Sequence, residues 1–317
     1  MSAEPRVSVA IALHNEEKVL PELLRRVRDV LDQLPGGPHE MVLVDDGSGD
    51  GTLALLISAA AEDPRITAIS LSRNFGHQPA LTAALDNVTG DVVVVMDGDL
   101  QDPPEVIPKL LDQYRKGFDV VYVQRTSRKE GWVLRFCYFF FYRIFAVFSN
   151  IRMPLDAGDF ALLSRRVFEA LRCIPEHHRY LRGLRAWVGF RQIGIPVERS
   201  ERLYGISKYS FAKLFALALD GIFAFSIIPL RCASALGLLT IIVSFVFVVY
   251  SVYAKFVLNQ SPQGFTALFV AMSFLSGVQL LFLGIIGEYL GRIYEETKGR
   301  PHYIIGKIVG RDRQSTE

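Results

Sequence analysis

The sequence predicts an α/β domain built on a parallel sheet, followed by helices at a membrane interface and a C-terminal two-helix transmembrane hairpin. Three observations carry this expectation. Short apolar runs alternate with amphipathic stretches from Val7 to about Gln124, as in a parallel sheet covered by helices. The stretch Trp132 to Met153 is rich in Phe and Tyr but cut by Arg135, Arg143 and Arg152. Two later segments, Cys232 to Phe256 and Phe265 to Ile286, are almost free of charge. The chain therefore divides into a sheet core over 1–131, an acceptor-side remainder with interfacial helices over 132–229, a hairpin over 230–290 and a basic tail over 291–317.

The strands come first. Val7 to Leu13, Met41 to Val44, Ile66 to Leu71, Val92 to Met96 and Asp119 to Val123 are the apolar runs of strand length. Between the first two, Glu16 to Leu34 is predicted helical, with Val19, Leu23, Val27, Val30 and Leu34 on one face. The uninterrupted run Val92 to Val95 suits a strand buried on both sides. Polar motifs follow several of these strands directly, where open α/β sheets bind ligands.

The aromatic stretch Trp132 to Met153 is too interrupted to cross a bilayer. An interfacial helix, aromatic side down, is the favoured reading, and a buried aromatic core helix competes with it. A second such stretch runs from Tyr209 to Ile228 and carries Lys213 and Asp220. The hairpin segments each exceed the roughly 20 residues that span a hydrocarbon core of about 30 Å. Arg231 precedes the first, while Arg292, Lys298 and Arg300 follow the second. By the positive-inside rule both ends of the hairpin face the cytoplasm. The catalytic domain and both termini are expected on that side of the cell inner membrane, because Val7 to Leu13 is too short for a signal peptide. Beyond Gly299 a short, flexible basic tail is expected.

Composition excludes several classes. The 317 residues carry 35 basic and 33 acidic side chains, a net charge of +2, so no global field points to nucleic acid. The three cysteines show no CxxC pair and read as reduced thiols. The histidines form no HxH or HExxH pattern, which argues against zinc catalysis, and no GxSxG is present.

Two acidic motifs carry the chemistry. Val44-Asp45-Asp46-Gly47-Ser48 ends a strand on two acids. Such carboxylates accept hydrogen bonds from a base N–H or ribose hydroxyls, or cap the next helix. Met96-Asp97-Gly98-Asp99-Leu100-Gln101-Asp102-Pro103-Pro104 closes the most buried strand. Asp97 and Asp99, two residues apart across a glycine, can converge on one Mg²⁺ or Mn²⁺, with Gln101 adding a carbonyl oxygen. A metal there offsets charge on a departing diphosphate.

Taken in order, Ile11-Ala12-Leu13-His14-Asn15-Glu16-Glu17, VDDGSGDGT, Asn74-Phe75-Gly76-His77-Gln78 and DGDLQDPPE resemble the family 2 inverting glycosyltransferases. More closely they resemble the polyprenyl-phosphate sugar transferases, the dolichol-phosphate mannose synthases and bactoprenol glucosyltransferases. The likeness continues through Gly158-Asp159-Phe160, Arg182-Gly183-Leu184 and Arg202 to Tyr209. One departure stands out: the family's usual Pro-x-Tyr-Asn-Glu reads Ala12-Leu13-His14-Asn15-Glu16 here. The resemblance implies a GT-A fold, metal on Asp97, Asp99 and Gln101, and nucleoside contacts from Asp45 and Asp46. It extends the nucleotide-sugar set to Leu13, Asn15, Glu16, Ser48, Gly76, Gln78 and Asp97, and makes Asp159 and Asp99 the catalytic pair. Asp159 stands where an inverting enzyme places its base, with Asp156 the competing carboxylate.

The expected reaction moves a hexose, glucose from UDP-glucose by preference, onto undecaprenyl or another polyprenyl phosphate. GDP-mannose is the second donor. An acceptor phosphate suits arginine forks, and Arg125, Arg135, Arg202 and Lys208 are the candidates. The expected partners are the donor, the polyprenyl lipid, the bilayer and further copies of the chain in a homo-oligomer. A processive polysaccharide synthase is disfavoured because Arg185-Ala186-Trp187 lacks the preceding Gln of Gln-x-x-Arg-Trp. A non-catalytic membrane scaffold is the rival outside enzymology.

Overall fold

In the computed structural model, residues 4–125, 157–177, 179–197, 228–257 and 264–310 are described. The predicted strands are present as β1 (Val7–Leu13), β2 (Glu40–Asp45), β3 (Ile66–Leu71), β4 (Val92–Asp97) and β5 (Val120–Arg125). β6 (Ala157–Ser164), β7 (Gln192–Val197) and β8 (Ile305–Val309) complete an eight-stranded sheet of order β7-β5-β6-β4-β1-β2-β3-β8. β1 through β4 are parallel, as is β5 with β7, but β6 and β8 run antiparallel to their neighbours. The sheet is thus mixed rather than wholly parallel.

Helices α1 (Leu20–Gln33), α2 (Thr52–Glu62), α3 (His77–Asn87), α4 (Ile107–Arg115), α5 (Arg165–Arg172) and α6 (Leu181–Trp187) accompany it. α1 buries Leu20, Leu23, Leu24, Val27, Val30 and Leu31 along one stripe, against strands such as β1, whose seven residues are all buried. Burial of each such aliphatic side chain contributes about 1.5–3 kcal/mol. The helix begins at Leu20, not Glu16. The backbone N–H groups of Asn15, Glu16 and Glu17 donate instead to Ser48 Oγ at 2.9 Å, Thr52 Oγ1 at 2.9 Å and Asp50 Oδ2 at 3.3 Å. The segment is held to the β2–α2 turn rather than wound into helix.

The C-terminal segment corrects a second expectation. Instead of a free tail, residues 300–310 return to the sheet, and β8 pairs with β3. The cause lies in Ile304, Ile305, Ile308 and Val309: β-branched residues that cover an otherwise open sheet edge. Ser72 N donates to Ile304 O at 2.9 Å, and Tyr303 Oη donates to Asp86 Oδ2 at 2.8 Å, fixing the approach.

The described residues fall into two compact units, one holding the sheet and one holding α7 (Ile228–Phe256) and α8 (Phe265–Thr297). Both helices are long and apolar enough to cross a membrane, with mean hydropathy 2.1 over Leu230–Phe247 and 1.5 over Phe274–Thr297. Leu238, Phe245, Phe274 and Leu283 are exposed on them, so neither shows the polar face of a soluble surface helix. They fit a hairpin. α8 continues past the predicted boundary at 290. The interfacial stretches Trp132 to Met153 and Tyr209 to Ile228 lie outside the described residues, save for the start of α7.

Candidate functional site at the carboxyl ends of the strands

β1 lies between β2 and β4, so chain order reverses at this strand and a crevice opens beyond its carboxyl end. Both acidic motifs face that crevice. In register, Asp45 closes β2 beside Leu13, and Asp97 closes β4 beside Ala12.

The first motif forms a closed hydrogen-bonded knot. Asp45 is buried and receives Ser48 N at 3.4 Å on each oxygen. Asp46, also buried, receives Phe75 N at 2.7 Å and Gly76 N at 2.9 Å, and its own N–H donates to Leu13 O at 2.9 Å. Asn15 Oδ1 accepts from Gly49 N at 2.9 Å. His14, the departure from the family pattern, bridges the same loops: its Nδ1 lies 3.0 Å from Asp46 O and 3.2 Å from Asn74 Nδ2. Gly47 has φ 63° and no room for a side chain, because a Cβ would stand 2.6 Å from Asn74 N. Leu13, Asn15, Glu16, Asp45, Asp46, Ser48 and Gly76 thus belong to one assembly. Gln78 is turned elsewhere, its Oε1 accepting from Leu181 N at 3.0 Å.

The second motif brings together groups from distant parts of the chain. β6 runs antiparallel to β4 through Val92↔Ser164 to Val95↔Ala161, and continuing that register sets Asp159 opposite Asp97. Oxygens of both carboxylates and a ring nitrogen of His77 lie within 4.8 Å of one another. His77 Nε2 is 3.4 Å from Asp97 Oδ1. Burial, and next the charge of Asp159, push the Asp97 carboxyl up to about 6. Burial acts on Asp159 in the same direction. The Arg182 guanidinium overcomes it, donating through Nη2 at 2.7 Å and Nε at 3.2 Å, and holds Asp159 below the usual carboxylate range. Beneath them Arg185 is buried; desolvation pushes it down to about 10, and both terminal nitrogens reach Gly158 O at 3.3 Å. It stays protonated at neutral pH.

Gly98 packs close to Leu13, whose Cδ2 would have to shift to admit a Cβ there. Asp99 Oδ1 accepts Gln101 N at 3.1 Å, so its carboxylate closes the turn and is not one of the three clustered groups. Gln101 is buried, and its Oε1 has no hydrogen-bond partner among the described residues. An orphaned amide oxygen is the kind of donor that a hard divalent cation accepts alongside carboxylates. Among the described residues, Asp97, Asp159 and His77 are close enough to share one ion, and His77 is a neighbour that spacing did not reveal. Its only sequence signal was its place inside Asn74-Phe75-Gly76-His77-Gln78. Arg182 and Arg185 were legible only as part of a resemblance. Arg125 closes β5 opposite Val197; Arg135, Asp156, Arg202 and Lys208 lie outside the described residues.

Known proteins bear on this arrangement. Residues 8–172 match the family described as Glycosyl transferase family 2. A glycosyltransferase of Synechocystis sp., sll0501, is 41% identical over 305 residues, covering 96% of each chain. A bactoprenol glucosyl transferase of Shigella phage SfX is 38% identical over 301 residues, covering 95% of this chain and 98% of its own. Among solved structures, a mannosyltransferase from Pyrobaculum calidifontis in complex with GDP-Man and Mn2+ has a TM-score of 0.50 at 22% identity. The match covers 70% of this chain and 64% of that one. The likeness is one of fold, the GT-A sheet. By family match and full-length relatives alike, the chain belongs to glycosyl transferase family 2.

Proposed function

We propose that the protein transfers a hexose, preferentially glucose from UDP-glucose, to undecaprenyl or a related polyprenyl phosphate, inverting the anomeric carbon. The observation that carries this reading is the meeting of Asp97 and Asp159 at the crevice, one carboxyl raised and the other held anionic. The full-length relative named as a bactoprenol glucosyl transferase supports the acceptor and the sugar. Asp97, Asp99 and Gln101 would hold Mg²⁺ or Mn²⁺, which when bound neutralises charge on the leaving diphosphate.

The acceptor needs no strong base, because a phosphate monoester with a second pKa near 6 is already largely dianionic. Asp159, fixed by Arg182, orients that acceptor or faces the positive charge that develops on the sugar ring. Catalysis is then mainly positioning and charge stabilisation. Asp45, Asp46 and the loops they hold shape the nucleoside end. Arg125, Arg135, Arg202 and Lys208 are assigned to the lipid phosphate. α7 and α8 anchor the enzyme in the cell inner membrane, with the sheet unit and both termini on the cytoplasmic face and further copies alongside in a homo-oligomer.

Purified full-length protein offered a panel of labelled nucleotide-sugars with undecaprenyl phosphate tests the reading. Labelled lipid should form from UDP-glucose and disappear in Asp99→Ala. Product from GDP-mannose alone would reassign the donor. No product from any donor would sink the enzymatic reading and favour a membrane scaffold.

A further inference from the structure

Away from the clustered carboxylates, the sheet unit holds a cavity of about 410 Å³ whose lining is cationic. Three separate stretches of chain build it: the Arg73–Thr82 region, the loop before α6, and residues 300–302 leading into β8. They contribute Arg73, Arg179 and Arg300 together with His177 and His302. None of Asp45, Asp46, Asp97, Asp99 or Asp159 lines it. The two imidazoles stack with centroids 5.4 Å apart.

Arg179 is the informative residue. It is only 9% exposed, yet among the described residues it forms no ion pair. Nη2 donates to Leu171 O, while Nε is buried without a hydrogen-bond partner among the described residues. Burial pulls the Arg179 pKa down, and the more distant charges of Asp86 and Glu176 oppose this without pairing with it. Asp86, one of two carboxylates near enough to act on Arg179, is already engaged by Tyr303 Oη at 2.8 Å and lies 4.0 Å from Arg172. Arg73 rests over the Phe75 ring at 4.5 Å, and neither it nor Arg300 forms an ion pair among the described residues. The walls are held in advance, by β8 on β3 and by Gln78 on Leu181 N.

We propose that this cavity is a second anion site of the protein, binding the phosphate group of a phosphorylated small molecule or of a lipid headgroup. Three guanidinium forks offer more donors than one carboxylate accepts, and they match the oxygens and charge of a phosphate. The volume lies within the range of small-ligand pockets and leaves room for the body of the ligand. Residues Asn74 and Phe75 line the cavity, and the N–H of Phe75 is held by Asp46. A ligand here therefore braces the loop that the strand-end crevice also uses.

Hydrogen exchange on the full-length chain in phosphatidylcholine nanodiscs, in EDTA, tests the site. One arm adds inorganic pyrophosphate; the other replaces part of the phosphatidylcholine with phosphatidic acid. Exchange around Arg73, Arg179 and Arg300 should slow at least about threefold in one arm, which identifies the source. Arg300 is exposed, so Arg300→Gln removes a cation without opening the core; it should weaken the effect about tenfold or more. Arg179→Gln, read where its melting temperature is unchanged, should do the same. No slowing in either arm, slowing that Arg300→Gln retains, or slowing confined to 97–101 overturns the proposal. Sugar transfer by Arg300→Gln is a separate measurement, so this site can fail while the transferase reading stands.

Discussion

The two acidic motifs look alike in sequence and do opposite things in the fold. Asp45-Asp46 and Asp97-Gly98-Asp99 each close a parallel strand at the same crevice. Asp46 is saturated by backbone donors, Phe75 N at 2.7 Å and Gly76 N at 2.9 Å. Among the described residues Asp97 receives no such donors, and it faces Asp159 and His77 instead. A carboxylate satisfied by N–H groups of its own chain stabilises a loop. A carboxylate held beside another, with its pKa lifted by burial and like charge, is poised for a cation or a reacting group. The difference lies in what the third dimension brings opposite each acid.

Substitutions can break this comparison. The largest effect is expected for Asp97→Asn: transfer should fall about 10²–10³-fold, while thermal stability holds or rises because a like-charge contact is relieved. A matched loss of melting temperature and activity would mean that Asp97 is scaffold after all. Asp46→Ala should show the reverse balance. It strands two N–H groups and should cost about 2–3 kcal/mol in denaturant unfolding, with activity following stability. If activity vanished at unchanged stability, Asp46 would be a ligand contact first and a brace second. His77 joins the motifs, since Gly76 is held by Asp46 and the next residue reaches Asp97. His77→Ala should lower turnover about tenfold, near 1.4 kcal/mol of barrier, without changing the fold; an unchanged rate would remove it from the site.

How much was legible beforehand follows from the same geometry. The parallel strands were readable because valine and isoleucine runs are local signals, and β1 and β3 have the predicted bounds. Asp97 was readable because a strand end followed by Asp-Gly-Asp is local too. The antiparallel insertion of β6 was not, and it is what sets Asp159 and its clamp Arg182 against β4. No periodicity in one segment announces a partner that arrives more than 60 residues later. β8 escaped for another reason. Lys307 and the flanking Arg300 and Arg311 made the segment look solvated, whereas an edge strand tolerates outward charge and needs only one covered side.

A third carboxylate sharpens the contrast, because β2 opens on Glu40 as it closes on Asp45. Glu40 sits at the end of the sheet remote from the crevice and is buried. Burial alone would raise its pKa. Hydrogen bonds from Ser8 Oγ at 2.6 Å, Thr89 N at 2.5 Å and Thr89 Oγ1 at 2.8 Å, with Arg6 Nη2 at 3.3 Å, hold it lower instead. A depressed carboxylate stabilises the fold above its unfolded pKa of about 4.3, and that contribution disappears as pH falls through the folded value. Glu40→Gln should therefore cost about 1 kcal/mol at pH 7 and leave turnover intact. The gap between wild type and variant should begin to narrow below the unfolded pKa of about 4.3 and close once pH has fallen through the depressed folded value, where protonated Glu40 and glutamine present nearly the same hydrogen-bonding groups. Unfolding curves at pH 7 and at low pH measure this. A gap that persists in acid would mean the cost is one of shape rather than charge. A loss of turnover without a loss of stability would erase the distinction between the two ends of β2.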